Sequence, residues 1–499
     1  MAPPPTTRKL TLAALAWPIF VEQGLRILIG TVDTVMVSHI SDGAVAALGV
    51  SHQVVVVSLI LFNFIGIGSS VVITHHVGAG DRSGADRIAR GAIGVNSWIG
   101  LVVSAIVAAG AEPILRAMQL PESLLPYARP FLTLMGGTLF LEAQNTAMSA
   151  TLRAHAHTRP VMLVTGLQNV VNVLCNAVLL FGLFGSPRLG VPGVAISGVI
   201  SRLVCFVILR RLVLQKTGVR LLPADYFRLR LDTLRRVLRI GLPAAGENLS
   251  YWLALIVVTS FASRMGESSL AAWTYSRQIT IWVILFAISI GLGTEILVGH
   301  LVGSGELERA RRELLVSLRK GFVLALVVSG GVALAAPSLI GLFTADPAVV
   351  AAAVTLQHLG VLLETGRVFN VVAVNGLRAT GDARFPLLMG ACSVWGMWVP
   401  LAWLLGSKLG LGLPGLCVAM ICDEWLRGLL NYGRWKRGGW IKYAEQSRAH
   451  VALAERAAAA ALPPGSAPET AATPPAASGG AVGVVSSVSA AAPTAPPRP

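Results

Sequence analysis

Residues 18–154 recur in outline 225 positions further along the chain. Pro18 returns as Pro243 and Glu22 as Glu247. Ala46-Ala47 returns as Ala271-Ala272, and Ser51 and Gln53 as Ser276 and Gln278. Gly66 and Gly68 match Gly291 and Gly293. Val77-Gly78 and Gly80-Asp81 match Val302-Gly303 and Gly305-Glu306. Asn145 matches Asn370, and Leu152-Arg153-Ala154 matches Leu377-Arg378-Ala379. One offset held over that length marks a duplicated unit, so the fold must consist of two like halves.

Each half is a series of apolar stretches. About 20 apolar residues cross a bilayer, and twelve stretches reach that length: 11–38, 44–78, 92–112, 124–152, 160–185, 190–214, 236–263, 268–303, 317–338, 348–378, 383–405 and 412–435. Six spans per half is an even number, so both halves enter from the same side. The repeats are therefore parallel, related by an axis along the membrane normal, an arrangement that frames a central cavity in transporter folds. The expected fold is an all-α polytopic membrane protein of about twelve transmembrane helices in two pseudo-symmetric six-helix lobes. Residues 1–214 form the first lobe, 215–235 a basic connector, 236–439 the second lobe and 440–499 a tail. From about Ala452 the tail is Ala, Pro, Gly and Ser, too poor in apolar surface to order itself. Trp440–Arg456 reads as a short helix on the membrane surface.

The composition agrees: 54% of residues are hydrophobic and 13% charged, against about 25% charged in soluble proteins. The formal charge of +16 does not indicate nucleic acid. Lys and Arg sit in short loops between spans, with few aromatics to stack bases. Those loops follow the even-numbered spans: Arg82, Arg87 and Arg90; Arg153 and Arg159; the connector; Arg309 to Lys320; Arg378 and Arg384. The positive-inside rule then places both termini in the cytoplasm of a multi-pass bacterial inner-membrane protein. No small-residue cleavage site follows a short apolar core near the N-terminus, so the first span is expected to be retained.

Charges within spans are the candidates for function. A charge at the centre of a membrane helix costs about 2.5–3.5 kcal/mol on insertion scales, and such residues normally face a polar path. Glu22, Arg26 and Asp33 fall on one helical stripe. Glu22 and Arg26 can pair at i,i+4, which leaves Asp33 without a local partner. Asn169, Asn172 and Asn176 share a face of the fifth span, either as interhelical glue or as oxygen ligands for a small hard cation. In the second half Tyr251 and Val258 replace Arg26 and Asp33. Glu247 thus lacks a local Arg and either titrates as a proton carrier or is held by a neighbouring span. The Asn172 and Asn176 positions in span eleven are Trp398 and Ala402. Glu364 and Arg367 are three apart and expected to pair, near Asn370 and Asn375. Asp423, Glu424 and Arg427 read the same way. His75-His76 reads as a surface pair, and the five cysteines as small core residues. No P-loop, HExxH or GxSxG motif is present, so the chain reads as neither an ATPase nor another enzyme, and no cofactor is expected.

The segments VDTVMVSHIS with AALGVS, VGAGD and VGSGE, NVLCNAVLLFG before GVPGVAIS, and NGLRATGDARFP before GLPGL resemble, in order over residues 10–435, the multidrug and toxic compound extrusion (MATE) family. That resemblance implies a secondary active antiporter. It would export small, cationic, amphipathic molecules in exchange for sodium ions or protons, as a lipid-embedded monomer. By position Asp33 matches the family's first-helix acid, and Asn172 and Asn176 the polar pair of its fifth helix. The family's seventh-helix acid lies about a turn beyond Glu247, and Arg367 stands where the tenth helix carries one. Glu247 and Glu364 are the second-lobe substitutes. Asp33, Asn172, Asn176 and Glu247 are therefore the expected ion-coupling residues, with sodium possible at the first three and the first lobe favoured. Glu22, Arg26, Glu364, Arg367 and Asn370 are expected to support the substrate cavity. The alternative is a lipid- or polysaccharide-linked flippase, which calls for a strongly basic cavity.

Overall fold

The computed structural model describes residues 10–185, 187–228 and 231–460. They form α1 (Leu12–Ser38), α2 (Asp42–Ala79), α3 (Arg82–Ala109), α4 (Ala111–Ala117), α5 (Leu125–Gly137), α6 (Leu139–Ala154), α7 (Thr158–Phe181) and α8 (Val191–Thr217). The second half follows as α9 (Leu231–Ser263), α10 (Glu267–Ser304), α11 (Leu307–Gly341), α12 (Pro347–Ala379), α13 (Arg384–Ser393), α14 (Val399–Ala402), α15 (Gly412–Lys436) and α16 (Ile441–Ala460). Nine helices among the described residues are long and apolar enough to cross a membrane, taking Arg384–Lys408 as one. The other three expected spans are also helical. Span 124–152 is broken between α5 and α6, 236–263 lies in α9, and 412–435 lies in α15 with Asp423, Glu424 and Arg427 inside it. Large apolar side chains such as Leu163, Ile256, Val327 and Leu334 stand exposed on the outer surface, as expected where the solvent is lipid.

Local chemistry sets the helix ends. Ser41 Oγ accepts from Ala44 N–H to cap α2, and Asp81 accepts from Gly84 N–H to cap α3. Gly80 and Gly305 end α2 and α10 in the left-handed region at φ +83° and +84°, where a Cβ would be strained. The helix Arg384–Lys408 widens into π turns at Val394–Trp398 and Trp403–Lys408 on either side of α14. Pro400 lies between them and has no N–H for the ladder.

The two halves meet through reciprocal contacts. His75 Nε2 lies 2.7 Å from the carbonyl oxygen of Ala379, and His300 Nε2 lies 2.7 Å from that of Ala154. His75 and His300 are repeat partners, as are Ala154 and Ala379, so the two bonds obey one two-fold axis. A Cβ on Gly78 would overlap the His300 carbonyl, and one on Gly303 the His75 carbonyl. Gly68 meets α9 at Val237, while its partner Gly293 meets α1 at Leu12 and Ala16. Small residues let backbones approach closely at such crossings. The halves are therefore shut against each other at the end that carries the Gly80-Asp81 and Gly305-Glu306 turns.

This seam corrects the expectation of a surface histidine pair. His75 and His76 are both buried, one bonded across the seam and the other 2.8 Å from Asp81 Oδ2. Burial alone would raise the Asp81 carboxyl. Hydrogen bonds from Gly84 N–H, the His76 ring and the Ser83 hydroxyl outweigh it and hold the carboxyl below its usual range. Two further expectations change. Cys392 and Cys422 are exposed on the outer surface, while Cys205 and Cys417 are buried. The helix after Trp440 docks on the bundle: Trp440 stacks on Trp435 with centroids 4.3 Å apart, and Ala444 is buried beside them. Disorder was expected from about Ala452, but the helix continues to Ala460; the rest of the Ala/Pro-rich tail, 461–499, lies outside the described residues.

Candidate functional site

Charges buried in the helix interiors gather into clusters in each half. In the first half, Asn176 Nδ2 donates to Asp33 Oδ1 at 2.6 Å and lies 3.3 Å from Asn172 Oδ1. Three expected ion-coupling residues are thus in direct contact. Asn172 and Asn176 are buried and Asp33 half-buried. Asn176 Oδ1 has no hydrogen-bond partner, which leaves a buried amide oxygen one residue from a carboxylate. Asn169 instead donates to the Thr165 carbonyl of its own helix. A separate chain of ion pairs runs from Arg202 to Glu142 (3.4 Å), from Glu142 to Arg26 (3.7 Å), from Arg26 to Glu22 (3.3 Å) and from Glu22 to Arg153 (2.7 Å). The expected Glu22–Arg26 pair is present, but the closer partner of Glu22 is Arg153 of α6.

The second half repeats the last link. Arg378 of α12 lies 2.7 Å from Glu247, the same distance as its repeat pair Arg153–Glu22. Two sequence expectations change here. Arg153 and Arg378 are helix residues with small side-chain exposure, not loop charges. Glu247 is not free of arginine: its partner arrives from 131 residues away. The expected Glu364–Arg367 pair is present at 3.0 Å. Arg367 also reaches Glu424 at 3.3 Å, and Arg427 holds Asp423 at 2.6 Å and Glu424 at 3.2 Å. Asn370 donates to Glu424 at 2.9 Å. Pairing of this kind offsets much of the cost of burying each ion.

The counterpart of the Asp33 pocket in the second half is apolar. Val258 is fully buried, and Trp398 fills the amide position, stacked on Tyr251 at 5.4 Å. The Asp–Asn–Asn cluster therefore exists in one half alone. Among the described residues no three His, Cys, Asp or Glu side chains converge as metal ligands.

A cavity of about 640 Å³ lies between the halves and extends into the second. Aromatic side chains of Phe64, Tyr251, Trp252 and Trp273 contribute to its wall. Of the expected residues, Glu247, Arg367 and Asn370 line it, whereas Asp33, Asn172, Asn176, Glu22, Arg26 and Glu364 do not. Arg153, Arg367, Arg378 and Arg427 on its wall each have a carboxylate partner. Arg277 lines it with none among the described residues. Glu295 of α10 also lines it. Glu295 carries no repeat signal in the sequence, since its repeat partner is Ser70 and no acid recurs at that position.

Comparison with known proteins agrees with this architecture. The MatE family model matches residues 18–178 and 243–404, once in each half. The uncharacterized transporter YisQ of Bacillus subtilis is 39% identical over 438 residues, 88% of this chain and 96% of that protein. The probable multidrug resistance protein NorM of Thermotoga maritima is 26% identical over 90% of this chain and 96% of its own. A crystal structure of MATE in the bent conformation superposes with a TM-score of 0.80 at 21% identity, covering 87% of this chain and 96% of that one. A Pyrococcus furiosus transporter of the MOP superfamily, described by the reverse polarity of its binding pocket, gives 0.78 at 20% identity over 87% and 96%. With the family model matched in both halves and the paired architecture retained, the chain belongs to the MatE family, whose members are membrane transporters and not enzymes.

Proposed function

We propose that this protein is a secondary active antiporter that exports small amphipathic organic cations in exchange for sodium ions or protons. The observation that carries the reading is the cavity between the halves, aromatic on its wall and mixed in charge, closed at one end by the reciprocal His75 and His300 bonds. Rocking the halves about that seam would open the cavity alternately to each side. Asp33 with Asn172 and Asn176 is the proposed coupling site. It combines one carboxylate with amide oxygens, suited to a sodium ion or, through Asp33, a proton. Glu247 is the second-lobe candidate, and its tie to Arg378 favours a structural role over ion exchange. The basic loops support a multi-pass inner-membrane protein with both termini in the cytoplasm, surrounded by lipid and acting as a monomer. A flippase for lipid-linked phosphates would call for a strongly basic cavity. Here four of the five lining arginines are paired with acids, which favours the antiporter.

Cells expressing the protein are expected to accumulate several-fold less of a fluorescent lipophilic cation than cells without it, and an ionophore that collapses the ion gradients should erase the difference. Equal accumulation in both strains, with the protein present in the membrane, would oppose the reading.

A further inference from the structure

Glu295 occupies a place that the sites above do not. It stands on α10 at the seam, 2% exposed, facing the hydroxyl of Ser70 on α2. Ser70 and Glu295 are repeat partners, so the two-fold relation that brings His75 and His300 into reciprocal contact also sets these residues against each other. Glu295 feels the charges of Arg378 on α12 and Arg153 on α6, one from each half, but forms a salt bridge with neither. Both are already engaged, Arg153 by Glu22 of α1 and Arg378 by Glu247 of α9. Glu295 Oε2 is buried with no hydrogen-bond partner, and the residue lines the cavity.

Charge balance singles it out. In the first half, Asp33, Glu142 and Glu22 are matched in number by Arg202, Arg26 and Arg153. The second-half set, with Arg277 counted, matches four with four. Glu295 is the acid left over. Ionised and alone, it would give the cavity floor one uncompensated negative charge in a region walled by Leu292 and Ile296. A hard metal ion would require several oxygen ligands, and what faces Glu295 is a single serine hydroxyl. A proton needs no further ligand, and a diffuse organic cation needs only the opposite charge and an apolar wall.

We infer that Glu295 is a proton-exchange site on the cavity floor, at which the proton and the positive charge of the exported molecule compete. When an organic cation enters, the carboxyl O–H bond breaks, the proton leaves to cavity water and the carboxylate pairs with the cation. When the cation departs, a proton from water restores the neutral carboxyl. One positive charge replaces another, so the floor stays neutral throughout. This rests on the antiporter reading and assigns it a proton at a position outside the Asp33 cluster.

The test uses the full-length protein purified in detergent and weakly buffered, with tetraphenylphosphonium as the probe. Wild type is expected to release about one more proton per bound cation than Glu295→Gln, a variant that keeps the shape and an acceptor for Ser70. Equal proton release by the two would overturn the assignment while leaving the antiporter reading standing. Failure of wild type to bind the probe or to transport it under any gradient would overturn both. If Glu295→Gln does not fold, wild type alone decides. Dicyclohexylcarbodiimide, which reacts with protonated buried carboxyls, is expected to label Glu295 less as pH rises and less when tetraphenylphosphonium is present. Labelling insensitive to both would overturn the assignment.

Discussion

Arg378→Met is expected to destabilise the protein by about 3–5 kcal/mol, the usual cost of removing one member of a buried ion pair. The variant strands Glu247, whose carboxylate lies 2.7 Å from the missing guanidinium, and takes from Glu295 one of its two neighbouring positive charges. Arg153→Met should cost less, because the fully buried Glu22 that Arg153 holds in the equivalent place keeps Arg26 at 3.3 Å. The check is the midpoint of thermal unfolding in detergent, with the double variant Arg378→Met/Glu247→Gln alongside. Removing both partners is expected to recover most of the loss, since the penalty lies in the unpaired charge rather than in the missing bond. A single variant as stable as wild type would mean that the pair does not hold α9 to α12.

Asp33→Asn should leave the fold intact and lower export at least about tenfold, equivalent to ~1.4 kcal/mol of lost coupling. The replacement keeps an oxygen for the Asn176 amide to donate to, a bond of 2.6 Å in the native protein. It removes a charge felt by Arg202 at the head of the first-half chain of ion pairs. Export is read as resistance and as dye accumulation in cells, with the amount of protein in the membrane measured in parallel. Full resistance at normal protein levels would reduce Asp33 to a structural residue.

The duplicated architecture was legible because a constant offset survives whatever side chains change around it. Pro18 and Pro243, and Gly80 and Gly305, mark the same points of the same helices in each half. The Asp33, Asn172 and Asn176 cluster was legible in part: the stripe on the first span and the spacing in the fifth are helical geometry. That the two faces meet followed from the family resemblance. What sequence did not give were partners distant along the chain. Glu247 looked unpaired since its own helix offers no arginine within a turn, while Arg378 lies 131 residues on. Arg153 and Arg378 looked like loop charges because each precedes a turn among other basic residues. His75 meets a carbonyl 304 residues away, a contact that leaves no pattern in local sequence. Glu295 was hidden by the repeat itself, which pairs it with a serine.

Exchange of an organic cation for an ion, by movement of two halves about one cavity, can be measured in vesicles. Proteoliposomes containing the purified protein are loaded with a fluorescent cation and given an imposed proton or sodium gradient. One of the two imposed gradients, proton or sodium, is expected to drive the cation against its own concentration gradient, and Asp33→Asn vesicles are expected to lose this drive. Cation movement only down its own gradient, at the same rate with either ion gradient or with neither, would contradict this exchange.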